Sequence, residues 1–583
     1  MKMSEVRRTD SLIVVGARLN SSRLPRKHLL DLAGVPMIVR IFERLAATGV
    51  PAVLATTSDD YNQELVRLGD ESGFAVVTYD GGVDNVVGRV DAVVRNYQPS
   101  RVVYVCGDCP LVSQGYIRLA LQALHDNPDW EQVVPEPGRL GETVIHEGIL
   151  CLSRAGWDEL VARSQSSLEQ EHVGLALTKG SPLKQGMVRD ADEFYGPGFR
   201  MSVDTAADWR FMDQLYCQWY ASHEGPVSLE WVVEKVRSTG TGRINSHVMQ
   251  KSGYRKYGSV LFVTEAGPTK GLGQLVRSVR LAERLCELAG FGVTLWVVGT
   301  PQSLGCLRTV NHEWVDSEAD LLNRLTADSL PALVVVDLFP DRMEHPEKLL
   351  DVLGELVAQG KRVVGLDRLW PWHRALSKIV VPCLVYRGEQ AQNILSGPGY
   401  ALAPIWSPVT ELPVTDRPLL TVMTGSSDAI GYGGELPQLL DRILPENTMV
   451  QWLQGPYAKP PRLPSKCRLK WSILEAQDDI ASVALTSTVV LSVYGNTVLE
   501  LLANRIPVAI LPAPGLIEEV EWQTIRQQDA LFCVDPTEDG LKLLSHLLLS
   551  DHARKKLLAR TDGLGAAGGL QRAAACILAT LDQ

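Results

Sequence analysis

The feature that most constrains the fold is the alternation of strand-like and helix-like sequence patterns along the chain. Short runs of β-branched residues alternate with stretches in which apolar residues recur at helical spacing. In the first half the runs predict strands at residues 11–15, 52–56, 74–78 and 101–106, and a helix is predicted just after Pro36. Strands that alternate with helices form mostly parallel sheets covered on both faces. The sequence therefore predicts the α/β class.

The chain is 583 residues long, whereas a single hydrophobic core stops growing at roughly 250–300 residues. The alternation stops in a polar, glycine-dotted stretch at residues 238–258 and starts again with a predicted strand at 259–264. A second break, at 407–418, precedes a predicted strand at 419–424. We expect a first domain at residues 1–245, a linker at 246–258, and two Rossmann-like lobes at 259–410 and 411–583.

Composition limits the classes of partner. The formal net charge is −11, so the totals give no sign of the basic face that a nucleic-acid-binding protein needs. No run of about 20 apolar residues predicts a membrane span or a signal segment. The 10 cysteines are sparse and irregularly spaced, as is typical of reduced thiols. We therefore expect a cytoplasmic protein with neither nucleic acid nor membrane as partner.

A cluster of basic residues follows directly on the first predicted strand, where open α/β sheets place their ligands. Arg18, Arg23 and Lys27 are interleaved with small residues, among them Ser21 and Ser22. Guanidinium groups grip phosphate oxygens in bidentate fashion, and a lysine adds a mobile point charge. The cluster therefore predicts a clamp for a multiply charged anion. Judged on charge alone, a solvated basic loop is an equal alternative.

The segment at residues 17–37 (ARLNSSRLPRKHLLDLAGVPM) resembles the opening signature of the sugar cytidylyltransferases. These include the enzymes that activate acylneuraminate and 3-deoxy-octulosonate sugars, and especially the spore-coat-polysaccharide branch. Further matches follow in the same order at 107–111 (GDCPL), 169–173 (EQEHV) and 201–208 (MSVDTAAD). One departure is Arg26, where the family often carries glycine. Four ordered matches make this resemblance specific.

The resemblance implies a Rossmann-like nucleotidyltransferase domain that transfers CMP from CTP to a sugar and releases pyrophosphate. It implies that Asp108 and Asp204 bind Mg²⁺, which prefers hard oxygen ligands. It also implies catalytic roles for Arg18, Arg23 and Lys27, which would stabilise the phosphates. The substrate-binding candidates of this half are Ala17, Ser21, Ser22, Asp84, Arg89, Glu142, His146, Glu171 and His172.

Two groups of these candidates could instead have purely structural roles. Asp84 and Arg89 match a family segment near the base and the triphosphate, but a helix N-cap followed by an exposed helical arginine would show the same pattern. The segment at 141–151 (GETVIHEGILC) is distinctive, and its Glu142 and His146 face an unusual sugar acceptor in our interpretation. A lone histidine is nevertheless more often a structural group. We expect the acceptor to be a keto-acid sugar such as a sialic-acid-like compound.

The second half, residues 259–583, resembles the UDP-sugar hydrolase of pseudaminic acid biosynthesis, a member of the two-lobed GT-B superfamily. The residues that carry the resemblance lie at 270–277, 335–337, 365–367, 397–402, 424–428 and 493–500. The residue types of the last motif, VYGNTVLE, suit the binding of a nucleoside diphosphate. A helix that begins near Asn496 directs free N–H groups at a diphosphate, and Glu500 can accept from ribose hydroxyls. An ordinary strand–turn–helix junction remains an alternative for this motif alone.

One substitution changes the expected chemistry of this half. The hydrolase family carries its acid–base histidine within the first glycine turn, where this chain has Gln274. An amide cannot take up a proton near neutral pH. We therefore expect this half to bind a nucleotide sugar or its product without hydrolysis by the histidine route. Its substrate-binding candidates are Gln274, Arg277, Gly425, Gly495, Asn496, Thr497 and Glu500.

Three functions are compatible with these observations. The first is a cytidylyltransferase fused to a nucleotide-sugar-binding domain of the same pathway. The second is a bifunctional glycosyltransferase that also transfers the activated sugar to a surface glycan or to a protein such as flagellin. In the third, the GT-B-like half is a non-catalytic binding module, which Gln274 favours. CTP, a sugar and a second nucleotide sugar are the expected ligands, and a homodimer is one candidate assembly.

Overall fold

The computed structural model describes residues 9–139, 142, 144–178, 180–196, 200–239, 245, 247–249, 258–326, 329–406, 417–476 and 480–582. The chain forms two compact units, Met1–Tyr257 and Gly258–Gln583. Most of the predicted linker and most of the predicted break at 407–418 lie outside the described residues, as do residues 141 and 143 of the distinctive acceptor segment.

The first unit is built around one twisted sheet. Its described strands are β1 (Ser11–Gly16), β2 (Asp31–Leu32), β3 (Val35–Pro36), β4 (Ala52–Thr57), β5 (Ala75–Tyr79), β6 (Arg101–Cys106), β7 (Gln132–Pro135), β8 (Ile149–Ser153) and β9 (Gln185–Val188). Its described helices are α1 (Met37–Ala46), α2 (Gln63–Ser72), α3 (Val86–Tyr97), α4 (Gln114–Asp126), α5 (Arg154–Arg163), α6 (Ser167–Glu171), α7 (Ala206–Tyr220) and α8 (Leu229–Thr239).

The strand order in this sheet is β5-β4-β1-β6-β8-β7-β9, and β2 pairs with β3 in a separate antiparallel ribbon. Strands β5, β4, β1 and β6 are parallel, whereas β8 runs antiparallel to both β6 and β7. Apolar clusters cover both faces of the sheet, one around Ile13 and Val103 and the other around Val14 and Val102. The α/β prediction is therefore confirmed, and the predicted strands of this half are present within one or two residues.

The second unit contains two further parallel sheets. Its described strands are β10 (Ser259–Glu265), β11 (Gly292–Val298), β12 (Asn311–Val315), β13 (Leu333–Asp337), β14 (Arg362–Leu366), β15 (Lys378–Val381), β16 (Ile394–Ser396), β17 (Leu419–Met423), β18 (Met449–Leu453), β19 (Lys470–Leu474), β20 (Val489–Val493) and β21 (Val508–Leu511). Its described helices are α9 (Gly273–Ala289), α10 (Glu318–Leu325), α11 (Pro346–Ala358), α12 (Leu436–Ile443), α13 (Ala481–Ala484), α14 (Asn496–Ala503), α15 (Glu519–Arg526), α16 (Glu538–Leu549), α17 (Asp551–Thr561) and α18 (Gly569–Leu578).

The sheets of this unit have the orders β12-β11-β10-β13-β14-β15-β16 and β19-β18-β17-β20-β21. Each is the centre of one lobe, as the GT-B-like prediction requires. Helix α18 leaves the second lobe and packs in the core of the first, where Leu570 and Ile577 join the cluster that contains Leu275 and Val279. Among the helices of the described ranges, none combines the length and the apolar character that crossing a membrane demands.

Candidate active site

The carboxyl ends of β1 and β6 approach each other closely enough to require glycine. The N–H of Gly107 donates to the carbonyl oxygen of Gly16 at 3.0 Å. A Cβ at Gly107 would lie 2.6 Å from that oxygen, a distance that real Cβ atoms do not adopt. The residues that follow these glycines, Ala17 and Asp108, are therefore held side by side at the edge of the sheet where open α/β folds bind ligands.

Lys27 is the centre of the site. Its Nζ lies 2.6 Å from Oδ2 of Asp108 and 3.0 Å from Oδ1 of Asp204, and its side chain is 10% exposed. Burial of the ammonium group acts to lower its pKa, but the charges of Asp108 and Asp204 overcome this and raise the pKa above its ordinary value. The sequence-predicted catalytic lysine and the two predicted metal carboxylates are thus in direct contact.

A backbone hydrogen bond aligns the two carboxylates. The N–H of Val203 donates to the carbonyl oxygen of Asp108 at 2.8 Å, so Asp204 enters the site next to Asp108. Thr205 is the N-cap of α7 and forms a capping box with Asp208, which fixes the start of the helix directly after Asp204. The position of Asp204 is therefore determined by its neighbours on both sides.

Three cations surround Asp204. Arg23 approaches Oδ1 at 2.9 Å, Lys27 shares that oxygen, and Arg200 donates to Oδ2. Burial acts to raise the pKa of Asp204, but Lys27, Arg23 and Arg200 together hold it well below its usual range. Asp204 is therefore a carboxylate at any pH at which the protein would function.

Arg200 is a site residue that the sequence reasoning missed. It is 8% exposed, and its Nε lies 3.5 Å from Oδ1 of Asp208 in addition to its bond with Asp204. Its Nη1 is buried, and no described residue accepts from it. The only available signal was its place four residues before Asp204, immediately ahead of the motif at 201–208.

Arg18 contacts residues from two other segments of the first unit. It bonds to Asp84, to the carbonyl oxygen of Val83 at 3.0 Å and to Oε1 of Glu171 at 3.2 Å. The structure therefore brings together three predicted residues from separate segments. In the same region Ser21 accepts from the N–H of Leu24 at 3.3 Å and so shapes the loop. Ser22 and His172 are exposed, and Ala17 is buried.

Arg89 is buried rather than exposed on its helix. It is 2% exposed, and its Nε and Nη1 have no partner among the described residues. Burial lowers the pKa of Arg89 to about 10. The alternative of an exposed helical arginine is therefore wrong, as is the N-cap role for Asp84, because the side chain of Asn85 caps α3. A buried guanidinium without a carboxylate partner suits an anionic ligand.

At Arg26, where the family often carries glycine, the backbone adopts a conformation that glycine favours. Its φ is 52°, in the left-handed region that favours glycine. Its guanidinium is directed away from the site and pairs with Glu64. The backbone at this position thus keeps the conformation that suits glycine, while the arginine side chain takes no part in the cluster around Lys27.

His28 contacts the backbone of the loop that carries Asp108. It is 4% exposed, and its Nδ1 lies 2.8 Å from the carbonyl oxygen of Gly107, to which the neutral ring donates. Burial and the neighbouring Lys27 ammonium lower the pKa of His28 to about 4. The ring therefore remains neutral and helps to hold the loop that carries Asp108.

The acceptor-side candidates are not gathered around Lys27. The side chain of His146 is fully buried, stacks on Tyr116 with 4.7 Å between ring centroids, and places Nε2 2.6 Å from Oδ2 of Asp190. Glu142 lies near Gly138 and Gly196. Glu147, by contrast, accepts from the N–H of Ser202 at 3.2 Å and so contacts the segment that leads to Asp204.

The carboxylates of Asp108 and Asp204 suit a divalent metal ion. Because both contact Lys27 Nζ, the two carboxylates lie close together and can offer hard oxygen ligands to one small cation. The described residues hold no group of three or more His, Cys, Asp or Glu side chains placed to bind a metal. Such an ion would therefore take its remaining ligands from water and substrate phosphates, as Mg²⁺ commonly does.

In the second unit, Arg277 connects the predicted motifs. Its guanidinium donates to both oxygens of Asp337 at 2.7 and 2.5 Å and to Oδ2 of Asp367 at 2.7 Å, and it lies 3.4 Å from Oδ1 of Asn496. Burial acts to lower the pKa of Arg277, but the two aspartates raise it above its ordinary value. The carboxyl ends of β13 and β14 in one lobe and the start of α14 in the other therefore meet at this arginine.

The remaining candidates of this unit lie around the same junction. Both carboxylate oxygens of Glu500 accept from Arg280, at 2.8 and 2.5 Å. Gln274 is buried and donates to Oε1 of Glu265 at 3.3 Å. Gly425 has a φ of 88° in the loop after β17, and Thr497 is half-buried in the first turn of α14.

A cavity of about 490 Å³ opens between the two lobes at this junction. The predicted residues Gln274, Arg277, Gly495 and Asn496 line it. Its other walls carry arginines, aromatic rings and the carboxylates of Asp367, Glu518 and Glu521. The second unit therefore has a cleft of ligand size at the place where the sequence motifs predict a nucleotide sugar.

The first unit belongs to the class of α/β proteins that bind anionic ligands at the carboxyl edge of a mostly parallel sheet. Comparison with known proteins narrows this class. Residues 12–220 match the family described as Cytidylyltransferase. A 3-deoxy-manno-octulosonate cytidylyltransferase from Mesorhizobium japonicum is 32% identical, and the match covers 34% of this chain and 96% of that protein. The chain belongs to the cytidylyltransferase family, whose members generally use a divalent metal ion.

Other likenesses are partial. A 3-deoxy-manno-octulosonate cytidylyltransferase from Methylorubrum extorquens (strain PA1) is 34% identical over 20% of this chain and 48% of its own length. The chain spans about half the length of this and several similar relatives. The solved structure of the glycosyltransferase SnogD from Streptomyces nogalater has a TM-score of 0.39 and 15% identity, and the match covers 56% of this chain and 100% of that one.

Proposed function

We propose that the protein transfers CMP from CTP to a sugar and releases pyrophosphate, with Mg²⁺ as its metal. The observation that carries the proposal is the contact of Lys27 with both Asp108 and Asp204, at 2.6 and 3.0 Å. A metal ion held by the two aspartates would neutralise charge on the triphosphate. The similarity to 3-deoxy-manno-octulosonate cytidylyltransferases supports a keto-acid sugar as acceptor.

The roles of the protein's own groups follow from their positions. In the reaction a sugar hydroxyl attacks the α-phosphorus of CTP in line with the departing pyrophosphate. Arg18, Arg23 and Lys27 hold the phosphates and offset the charge that develops in the transition state. Arg89, a buried cation for which the described residues provide no carboxylate partner, supplies a further anion contact next to Arg18 and Asp84. Positioning and charge neutralisation are the main contributions of the protein to such a reaction.

The test is pyrophosphate release by the full chain with Mg²⁺, each of the four nucleoside triphosphates, and a panel of eight-carbon and nine-carbon keto-acid sugars. We expect release only with CTP and one sugar. Asp108→Asn and Asp204→Asn should each lower this rate at least about 100-fold. Asp129→Asn is the matched control, because that carboxylate is 82% exposed and pairs only with Lys184 among the described residues. Release at equal rates with all four triphosphates would contradict the proposal.

For the second unit we propose binding of a nucleotide sugar in the inter-lobe cavity. The cavity volume, the start of α14 at Asn496 and the nearby arginines support this assignment. A bifunctional glycosyltransferase is the competing proposal, and incorporation of label from CTP and sugar into a macromolecule would favour it. The division at residues 1–245, 246–258, 259–410 and 411–583, and the cytoplasmic location, are retained as proposals.

A further inference from the structure

The carboxylate that the sequence predicts to bind ribose is bonded to the opposite lobe. Glu500 lies one turn into α14, and both of its oxygens accept from Arg280 of α9, at 2.8 and 2.5 Å. The side chain of Glu500 is 4% exposed and that of Arg280 is 20% exposed. Neither residue is among the described residues that line the inter-lobe cavity. In this arrangement the Glu500 carboxylate is therefore closed to a ligand in the cavity.

The start of the same helix is also bonded to α9. Nδ2 of Asn496 donates to the carbonyl oxygen of Gly273 at 3.1 Å, and a Cβ at Gly273 would lie 3.3 Å from that nitrogen. Oδ1 of Asn496 lies 3.4 Å from Nη1 of Arg277. Just before α9, the N–H of Leu272 donates to the hydroxyl of Ser426 in the other lobe at 3.1 Å. The first two turns of α9 and of α14 are thus in contact across the cleft.

Arg280 supplies the charge in this contact. The neighbouring Arg277 gives its own charge to Asp337 and Asp367, which belong to the same lobe as α9. A guanidinium group bound in a fork to a carboxylate is among the stronger polar contacts in proteins. Loss of one partner from such a buried pair is costly, because the other charge is left buried and uncompensated. A ribose that used Glu500 would therefore have to compete with Arg280 for it.

We propose that Arg280 is an autoinhibitory residue of the second unit. It holds the ribose-binding carboxylate, and a nucleotide binds at full strength only when α9 and α14 separate. The apparent dissociation constant is then the intrinsic one divided by the fraction of molecules in which this contact is open. Removal of Arg280 raises that fraction and tightens the binding of a nucleoside diphosphate. This inference rests on the proposed binding of a nucleotide sugar by the second unit.

The experiment measures the affinity of the full chain for UDP by calorimetry. Arg280→Met keeps the apolar stem and removes the fork, and we expect the dissociation constant to fall at least about 10-fold. Arg280→Lys keeps the charge but cannot form the fork, so it should give a smaller fall, and it provides the test if Arg280→Met does not fold. Arg284→Met is the matched control, because Arg284 lies one turn further along α9, is 18% exposed and pairs with Glu287 of the same helix. Its affinity for UDP should equal that of wild type.

Two further measurements show whether the gain in affinity comes from ribose and Glu500. A UDP analogue that lacks both ribose hydroxyls should bind wild type and Arg280→Met equally well. The double variant Arg280→Met/Glu500→Gln should lose most of the gain for UDP, because an uncharged amide accepts more weakly than a carboxylate. An equal gain for UDP and the analogue would overturn the proposal, since the effect would then not involve the ribose hydroxyls.

The outcomes also separate this inference from the proposed function. Equal affinity for UDP in wild type, Arg280→Met and Arg280→Lys would overturn autoinhibition and leave the binding of a nucleotide intact. Absence of UDP binding in every variant would overturn both. CTP-dependent pyrophosphate release is measured on the same samples, and we expect it to be unchanged in the Arg280 variants, because the residue belongs to the second unit.

Discussion

The ammonium nitrogen of Lys27 lies 2.6 Å from a carboxylate oxygen of Asp108, a residue 81 positions further along the chain. The contact joins the basic loop after β1 to the loop after β6. It is one side of a buried ionic cluster that also contains Asp204, Arg23 and Arg200. Because the cluster holds both the predicted metal ligands and the predicted phosphate ligands, its charges should control activity and stability together.

Replacement of Lys27 tests this coupling. Lys27→Met leaves Asp108 without the ammonium group that neutralises it, so we expect CTP-dependent pyrophosphate release to fall at least about 100-fold. The thermal midpoint of the first unit should also fall. Lys184→Met is the control, since Lys184 is 60% exposed and pairs with an exposed aspartate. Equal loss of activity in both variants would show that the effect is not specific to the cluster.

Arg200 should act by positioning Asp204. Arg200→Gln removes a donor to Asp204 and a neighbour of Asp208, and we expect kcat to fall about 10-fold to 100-fold. Arg200→Lys should recover only part of this, because a lysine cannot bond to two carboxylates with the planar fork of arginine. The Mg²⁺ concentration for half-maximal rate should rise in both variants. The control is Arg163→Gln, which alters a partly exposed helical pair with Glu159.

The pKa of His28 gives a prediction for pH. In the folded protein burial lowers the pKa of His28 to about 4, from an ordinary value of 6.5. The unfolded chain therefore binds the proton first, so the stability contributed by neutral His28 is complete above pH 6.5 and is lost as the pH falls toward 4. The Cε1–H resonance, assigned by its absence in His28→Gln, should titrate near pH 4. A midpoint near 6.5 would contradict the buried neutral ring.

The pair Arg280–Glu500 allows a test in the second unit. Arg280→Met leaves the buried Glu500 carboxylate without its bidentate partner, which should destabilise the unit by about 3–5 kcal/mol. The double variant Arg280→Met/Glu500→Met removes both charges and should recover most of the loss. Arg374→Met, at an arginine that is 80% exposed, should change the thermal midpoint little. If the double variant lost as much stability as Arg280→Met and Glu500→Met lose together when measured singly, the coupling would be refuted.

The order of strands and helices was largely predictable from the sequence, because the spacing of apolar residues depends only on neighbouring positions in the chain. The run at residues 101–106 is a strand with the predicted bounds. The direction of a strand is not local, and nothing in residues 149–153 indicates that β8 runs antiparallel between β6 and β7. The α/β class was therefore accessible from pattern alone, whereas this reversal in the sheet was not.

The candidate site divides in the same way. Lys27, Asp108 and Asp204 were found through ordered motifs, and the structure brings them into contact. Arg200 was missed because it precedes the motif and gains its role only when β6 and α7 meet. The pairing of Glu500 with Arg280 spans 220 residues, and no local pattern indicates it. Ion pairs between residues far apart in the sequence therefore determine which candidate residues can bind a ligand and which are already paired with another side chain.

The return of α18 to the first lobe has a consequence for synthesis of the chain. The core that contains Leu275 and Val279 also needs Leu570 and Ile577, which are translated almost 300 residues later. At roughly 5–20 residues per second, that delay is about 15–60 s. The β10 sheet thus spends this interval on the ribosome with part of its helical cover missing. The first lobe is the earlier of the two to be made, yet it cannot reach its final packing until the second has been translated.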